Sequence, residues 1–232
     1  MQLPLKKRVV AEALGTFFLL AAVVGSGIMA ESLANGNTAL ALLANTAATG
    51  GALIALIITF GSLSGAHFNP VVSFASAWTG SLSWKDAFYY LLAQFGGGIL
   101  GVVAAHVMFG LPVIFMSQHS RAGFAQLFSE FVATLGLVGV IFGASRSHVP
   151  VVALAVGTYI SAAYWFTAST SFANPAVTVA RSLSDTFTGI HPLDVPGFLV
   201  AQCAGGIVAT FLFRWLMPVD SEHREQQQKR FA

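Results

Sequence analysis

Two Asn-Pro pairs, Asn69-Pro70 and Asn174-Pro175, are the residues of this chain whose types and spacing point to chemistry. Asparagine is a preferred helix N-cap and proline is favoured at the first helical position, so each pair reads as a helix start. The residue before a proline is biased away from helix, which sharpens the boundary. A helix start carries roughly half a positive charge, and the asparagine amide adds N–H donors that a passing oxygen can accept. Glu12 and Glu130 are the second signal, because each stands inside an apolar stretch where a charged group is costly. Their structural reading is as acceptors for backbone N–H groups of irregular segments, and the alternative is a proton relay.

The composition says what must position these residues. Of 232 residues, 56% are hydrophobic and 9% charged, with a mean hydropathy of +0.75, whereas soluble domains carry about 25% charged residues. That excludes a water-soluble enzyme, and disorder with it. The net charge of +2 forms no basic stripe, so no nucleic-acid partner is expected. A single cysteine, Cys203, rules out a disulfide framework or a thiol metal site, and His106, His119, His148, His191 and His223 show no ligand spacing. No metal, cofactor or catalytic residue is expected. His67 precedes the first Asn-Pro pair by two residues, where a hydrogen-bonded structural role competes with a pH gate.

A membrane span needs roughly 20 apolar residues, and six stretches qualify: residues 9–30, 38–60, 87–109, 124–144, 149–168 and 197–217. The first is read as a retained span rather than a signal peptide, given its length and Glu12. The apolar pieces 69–79 and 174–183 are too short to cross. About ten residues of helix reach roughly 15 Å, half of a hydrocarbon layer. Residues 62–68 and 169–173 must then run non-helically at membrane depth, which is tolerated where backbone is buried in protein or lines a water-filled cavity. With both termini cytoplasmic, nine of the eleven Lys and Arg residues fall on the cytoplasmic side and only Arg121 and Arg181 on the other.

The chain is also a repeat. Ala11-Glu12-Ala13-Leu14-Gly15-Thr16 is echoed by Ser129-Glu130-Phe131-Val132-Ala133-Thr134, the first Asn-Pro box by the second, and Ala93-Gln94-Phe95-Gly96-Gly97 by Ala201-Gln202-Cys203-Ala204-Gly205. The expected units are residues 1–116, residues 117–217 and a cytoplasmic tail at 218–232. Three spans per unit is an odd number, so the second inserts inverted, with the working site near the midplane where the repeats meet. Two half-helix starts facing one another there repel cations. A single-file water accepting from both asparagines cannot relay protons through that point. Gly97 with Gly101, and Gly205 with Ala209, form small-residue pairs suited to close helix crossings.

Gly65-Ala66-His67-Phe68-Asn69-Pro70-Val71 and Ser171-Phe172-Ala173-Asn174-Pro175-Ala176 resemble the paired Asn-Pro-Ala boxes of the aquaporin, or major intrinsic protein, family, and the resemblance covers essentially the whole chain. It implies an all-α membrane fold of six transmembrane helices plus two re-entrant half-helices in an inverted 3+3 repeat. It also implies a homotetramer in the lipid bilayer with one pore per subunit. Asn69 and Asn174 become the midplane donors, and Glu12 and Glu130 the repeat-related glutamates. The first box reads Asn-Pro-Val, which should alter half-helix packing more than the donors.

The family's selectivity filter carries over to Thr49, Ala162, Ser171 and Val177, counted from the two asparagines. Related channels keep an arginine where Val177 stands, and aromatic or histidine side chains nearby. The resemblance therefore implies a wide, uncharged opening, similar to bacterial aquaglyceroporins associated with arsenic-resistance operons. The expected cargo is water, glycerol, undissociated arsenite or antimonite and methylated arsenicals, crossing a bacterial inner membrane. Arg181, four residues after Val177, shares its helix face and is a candidate for the outer vestibule, the alternative being a pair with Asp185. An ion-coupled secondary transporter would share the repeat logic but needs several buried charges on its path. An intramembrane serine protease is rejected, since Ser62 stands where a glycine is needed before Ser64.

Overall fold

The computed structural model describes residues 3–217, so the expected tail lies outside the described residues. The architecture is all helical: among the described residues the one β feature is an isolated bridge between Phe115 and Ser184. The long helices are α1 (Leu5–Leu33), α2 (Thr38–Ser64), α4 (Trp84–Met108), α5 (Phe124–Ala144), α6 (Val149–Phe166) and α8 (Val195–Leu216). All six are long and apolar enough to cross a membrane, α8 together with the 3-10 turn Pro192–Asp194 that leads into it. The two short helices are α3 (Pro70–Trp78) and α7 (Pro175–Arg181), and each opens with its proline in the first turn and its asparagine as N-cap.

The irregular segments before the two short helices differ from the sequence expectation at their starts. Helix α2 continues through Ser62 to Ser64, so the irregular segment before α3 is residues 65–68. The break waits for Gly65 because its φ of 94° is the left-handed conformation that glycine adopts without a β-carbon clash. The equivalent segment before α7 runs from Thr167 to Ala173.

Close helix crossings hold the bundle together. Helix α1 packs on α4, α5 on α8 and α2 on α6. A β-carbon on Gly97 would stand 3.1 Å from Ala13 Cα, and one on Gly205 3.1 Å from Leu135 N, so both glycines permit backbone-to-backbone contact. At one end of the bundle Arg8 pairs with Asp86 at 2.8 Å, joining the first turns of α1 and α4. The Tyr90 hydroxyl donates to Ser64 O at 2.8 Å and fixes the end of α2 against α4. Large apolar side chains such as Phe18, Phe88, Leu92, Phe128 and Phe211 point outward, as a lipid-facing surface requires.

Candidate functional site

The starts of α3 and α7 meet inside the bundle. Asn69 Oδ1 accepts from Val71 N at 3.0 Å, and Asn69 Nδ2 donates to Ala173 O at 2.7 Å. Asn174 repeats the pattern: its Oδ1 accepts from Ala176 N and Val177 N at 3.0 and 3.3 Å, and its Nδ2 donates to Phe68 O at 2.8 Å. Each asparagine thus caps its own helix and holds the opposite loop. An amide nitrogen carries two hydrogens, so one N–H of each remains for the cavity that both residues border.

The loops leading into the junction place Ala66, Phe68, Thr170, Ser171 and Ala173 at positive φ, between 47° and 60°. Such conformations cost about 1–3 kcal/mol each for residues with a β-carbon, and they turn successive N–H groups toward one point. Carboxylates occupy those points. Glu12 accepts from His67 N, Phe68 N and Ser64 Oγ at 3.0, 2.7 and 2.6 Å, and from Gln94 Nε2 at 2.9 Å. Glu130 accepts from Phe172 N, Ala173 N and Gln202 Nε2 at 2.9, 2.8 and 2.6 Å. Both glutamates are fully buried with every oxygen engaged, which is how a charge survives at this depth. Gln94 and Gln202 do matching work, since each also donates to a hydroxyl on its half-helix, Ser73 and Thr178 respectively. The repeat of Ala93-Gln94 in Ala201-Gln202 was the sequence signal for this pair.

Beside the junction lies a cavity of about 160 Å³, roughly ten times what one water needs. Its long walls are aliphatic: Leu19 and Val23 from α1, Leu53 and Ile57 from α2, Leu137 and Ile141 from α5, and Val152, Val156 and Ile160 from α6. Polar groups gather at its ends and at the asparagines. Toward α3 stand His67 and Ser76, with His67 Nδ1 at 3.0 Å from Ser73 Oγ. Toward α7 stand Thr49, Tyr164, Ser171 and Arg181, with Val177 among them.

Three of the four residues assigned to the filter by counting border this cavity, and Ala162 does not. Ala162 lies on an exposed face of α6, and Tyr164 borders the cavity in its place. Counting back from Asn174 fixes distance along the chain but not the face of the helix. The face is set by the stripe Val152, Val156, Ile160 and Tyr164, spaced four apart, and that stripe was the signal the count overlooked. Ser171 Oγ is buried without a protein partner while bordering the cavity, so its hydroxyl is available to a solute.

The cavity wall is not free of charge as the count implied. Arg181, one turn beyond Val177, is 2% exposed and borders the cavity. Its guanidinium lies 3.4 Å over the Phe172 ring and its Nε donates to Thr188 O, the one hydrogen bond it makes among the described residues. The expected alternative, a pair with Asp185, is not formed: Asp185 instead accepts from Gln118 N at 2.8 Å. Thr188 is held by a buried chain in which His106 Nε2 meets Ser184 Oγ at 2.8 Å, Ser184 meets Thr186 at 2.9 Å, and Thr186 meets the Thr188 hydroxyl at 3.4 Å. A second cation, Arg121, stands 5.0 Å from the Phe172 ring centre and donates to Gly189 O and Ser169 O at 2.8 and 3.2 Å. Burial pushes the Arg121 guanidinium below its ordinary value, and the field of Glu130 opposes that shift. Neither Phe172 nor Arg121 was singled out by sequence reasoning for this role, because the segments that carry them lie about fifty residues apart in the chain.

Comparison with known proteins gives a consistent set of likenesses. The family model described as Major intrinsic protein matches residues 1–149 and 143–231. The chain is 54% identical to Aquaglyceroporin AqpS of Rhizobium meliloti (strain 1021) over 213 residues, covering 92% of this chain and 91% of that protein. The X-ray structure of the aquaglyceroporin from Plasmodium falciparum superposes with a TM-score of 0.71 at 21% identity, covering 93% of this chain and 98% of that one.

Proposed function

This chain belongs to the major intrinsic protein family, and on that premise we propose that it is a passive channel for water and small neutral solutes. The solutes are glycerol, undissociated arsenite and antimonite, and methylated arsenicals in neutral form. Aquaglyceroporins of this family are channels and not enzymes, so no residue is given a catalytic role.

One observation carries the reading: a cavity whose long walls are aliphatic passes two buried asparagine amides, each with one N–H left over from its loop bond. A solute shedding its hydration shell finds donors only there and at the polar ends, while the walls offer an ion nothing in exchange for its water. The proposed filter comprises Thr49, Ser171 and Val177, with Arg181, one turn beyond, supplying the charge that Val177 lacks. An ion-coupled transporter gains no support, because Glu12 and Glu130 have their oxygens committed to loop N–H groups and glutamines.

The proposal extends to the setting: a bacterial inner membrane, both termini cytoplasmic, two inverted units over residues 1–116 and 117–217, and a homotetramer with one pore per subunit. Stopped-flow swelling of proteoliposomes with water, glycerol and arsenite tests the function directly. Downhill flux of all three, unchanged by a proton gradient, is expected. Flux that requires the gradient overturns the channel in favour of a coupled transporter.

A further inference from the structure

We infer that Tyr164, paired with Thr49, sets the size cut-off of this pathway and so decides which polyols pass. The inference rests on the channel reading above and adds the residue that sizes the solute.

Three observations support it. First, Tyr164 is 4% exposed and ends the α6 stripe of Val152, Val156 and Ile160 along the cavity, the only one of the four with a ring and a hydroxyl. Second, its hydroxyl stands 3.4 Å from Thr49 Oγ1, which ends the α2 stripe of Thr49, Leu53 and Ile57. That is long for a hydroxyl pair, so the phenol is tethered weakly and can donate to a solute oxygen without a large loss. Third, the two walls touch next to Thr49 on α2 and two turns before Tyr164 on α6. A β-carbon on Gly157 would stand 2.9 Å from Gly50 O, so α2 and α6 are already at backbone contact and cannot close further. With the backbones fixed, the opening at this end is decided by side-chain volume, and Tyr164 is its largest uncharged contributor. Facing solutes there are the unpartnered Ser171 hydroxyl and the Arg181 guanidinium. A ring of hydroxyls and one cation, closed down by the phenol, suits a short linear polyol, or a neutral hydroxide of similar size, and works against longer ones.

The experiment is osmotic swelling of proteoliposomes holding the full chain, with water, glycerol, erythritol and xylitol as probes. Tyr164→Ala is expected to raise xylitol permeability by about tenfold or more, the scale on which a carbon's worth of fit discriminates in a shaped site. Tyr164→Phe keeps the ring and is expected to keep the wild-type cut-off, and Ala162→Phe, on the exposed face, is expected to leave it unchanged as well. If Tyr164→Ala does not fold, Tyr164→Trp serves: glycerol flux should fall about tenfold while water still passes. An unchanged cut-off in Tyr164→Ala or Tyr164→Trp, a Phe variant that opens like Ala, or a cut-off moved by Ala162→Phe overturns the assignment. Wild-type vesicles without glycerol flux would overturn the channel reading itself, so the two failures are distinct.

Discussion

Val71 occupies the space that a β-carbon on Gly206 would need, its Cγ1 lying against the glycine's Cα face. The valine that departs from the Asn-Pro-Ala pattern is therefore housed by a glycine on α8, with Val138 of α5 completing its packing. In the second box the corresponding glycine is Gly98, and a β-carbon there would sit 3.5 Å from both Ala176 O and Ala180 Cβ, an ordinary contact. The two half-helices are thus seated differently although each asparagine amide makes the same bond to the opposite loop.

Gly206→Ala should consequently lower stability by about 1–3 kcal/mol, the usual cost of overpacking, whereas Gly98→Ala should be nearly silent. Adding Val71→Ala to Gly206→Ala should recover part of the loss. Thermal melting of the purified protein in detergent reads this double-mutant cycle, and equal melting of the two glycine variants would refute the packing argument.

Glu130→Gln keeps the volume but turns an N–H toward the N–H groups of Phe172 or Ala173. Each buried donor left unpaired costs about 1–3 kcal/mol, and the loop that carries Ser171 should loosen. Reduced thermal stability together with reduced glycerol flux per channel is expected, and Glu12→Gln should act in the same direction on the loop before α3. Wild-type melting in both variants would show that the carboxylates do not brace the loops.

Val177 is 6% exposed and borders the cavity, so Val177→Arg places a second guanidinium in the same opening as Arg181. Glycerol and arsenite uptake should fall by about tenfold or more, with water flux affected less. Cells expressing the variant and assayed for uptake of both solutes supply the measurement; unchanged uptake would remove Val177 from the filter.

Arg181 carries the positive charge at that end of the cavity, and Arg181→Ala should admit cations while leaving neutral-solute flux in place. Arg181→Lys keeps the charge without the planar fork that lies over Phe172, so it should restrain the leak more than alanine does. Conductance across planar bilayers, beside swelling assays, separates the two properties. No change in either property for the alanine variant would make the residue a bystander.

Much of the fold was legible because hydrocarbon imposes strong rules. Helix α5 spans residues 124–144 in both sequence and structure, and the two short helices begin at their prolines. The end of α2 differs because apolar length alone closes that span at residue 60, while the chain needs the left-handed conformation of Gly65 to stop. Arg181 was singled out by its spacing from Val177, but its partner was not: Thr188 and Asp185 are both near in sequence, and only packing decided between them.

The sequence by itself determined that this chain lies in a membrane, that two short helices start at asparagines, and that two glutamates sit where charge must be satisfied. These follow from local chemistry: apolar length, capping preference and the cost of a buried carboxylate. Only the tertiary structure decided which faces meet. Spacing along a chain says how far apart two residues are, while the rotation of α6 against α2 turned Ala162 away from the cavity and brought Tyr164 into it. Rotation is set by the close contact at Gly50 and Gly157, a property of two helices together.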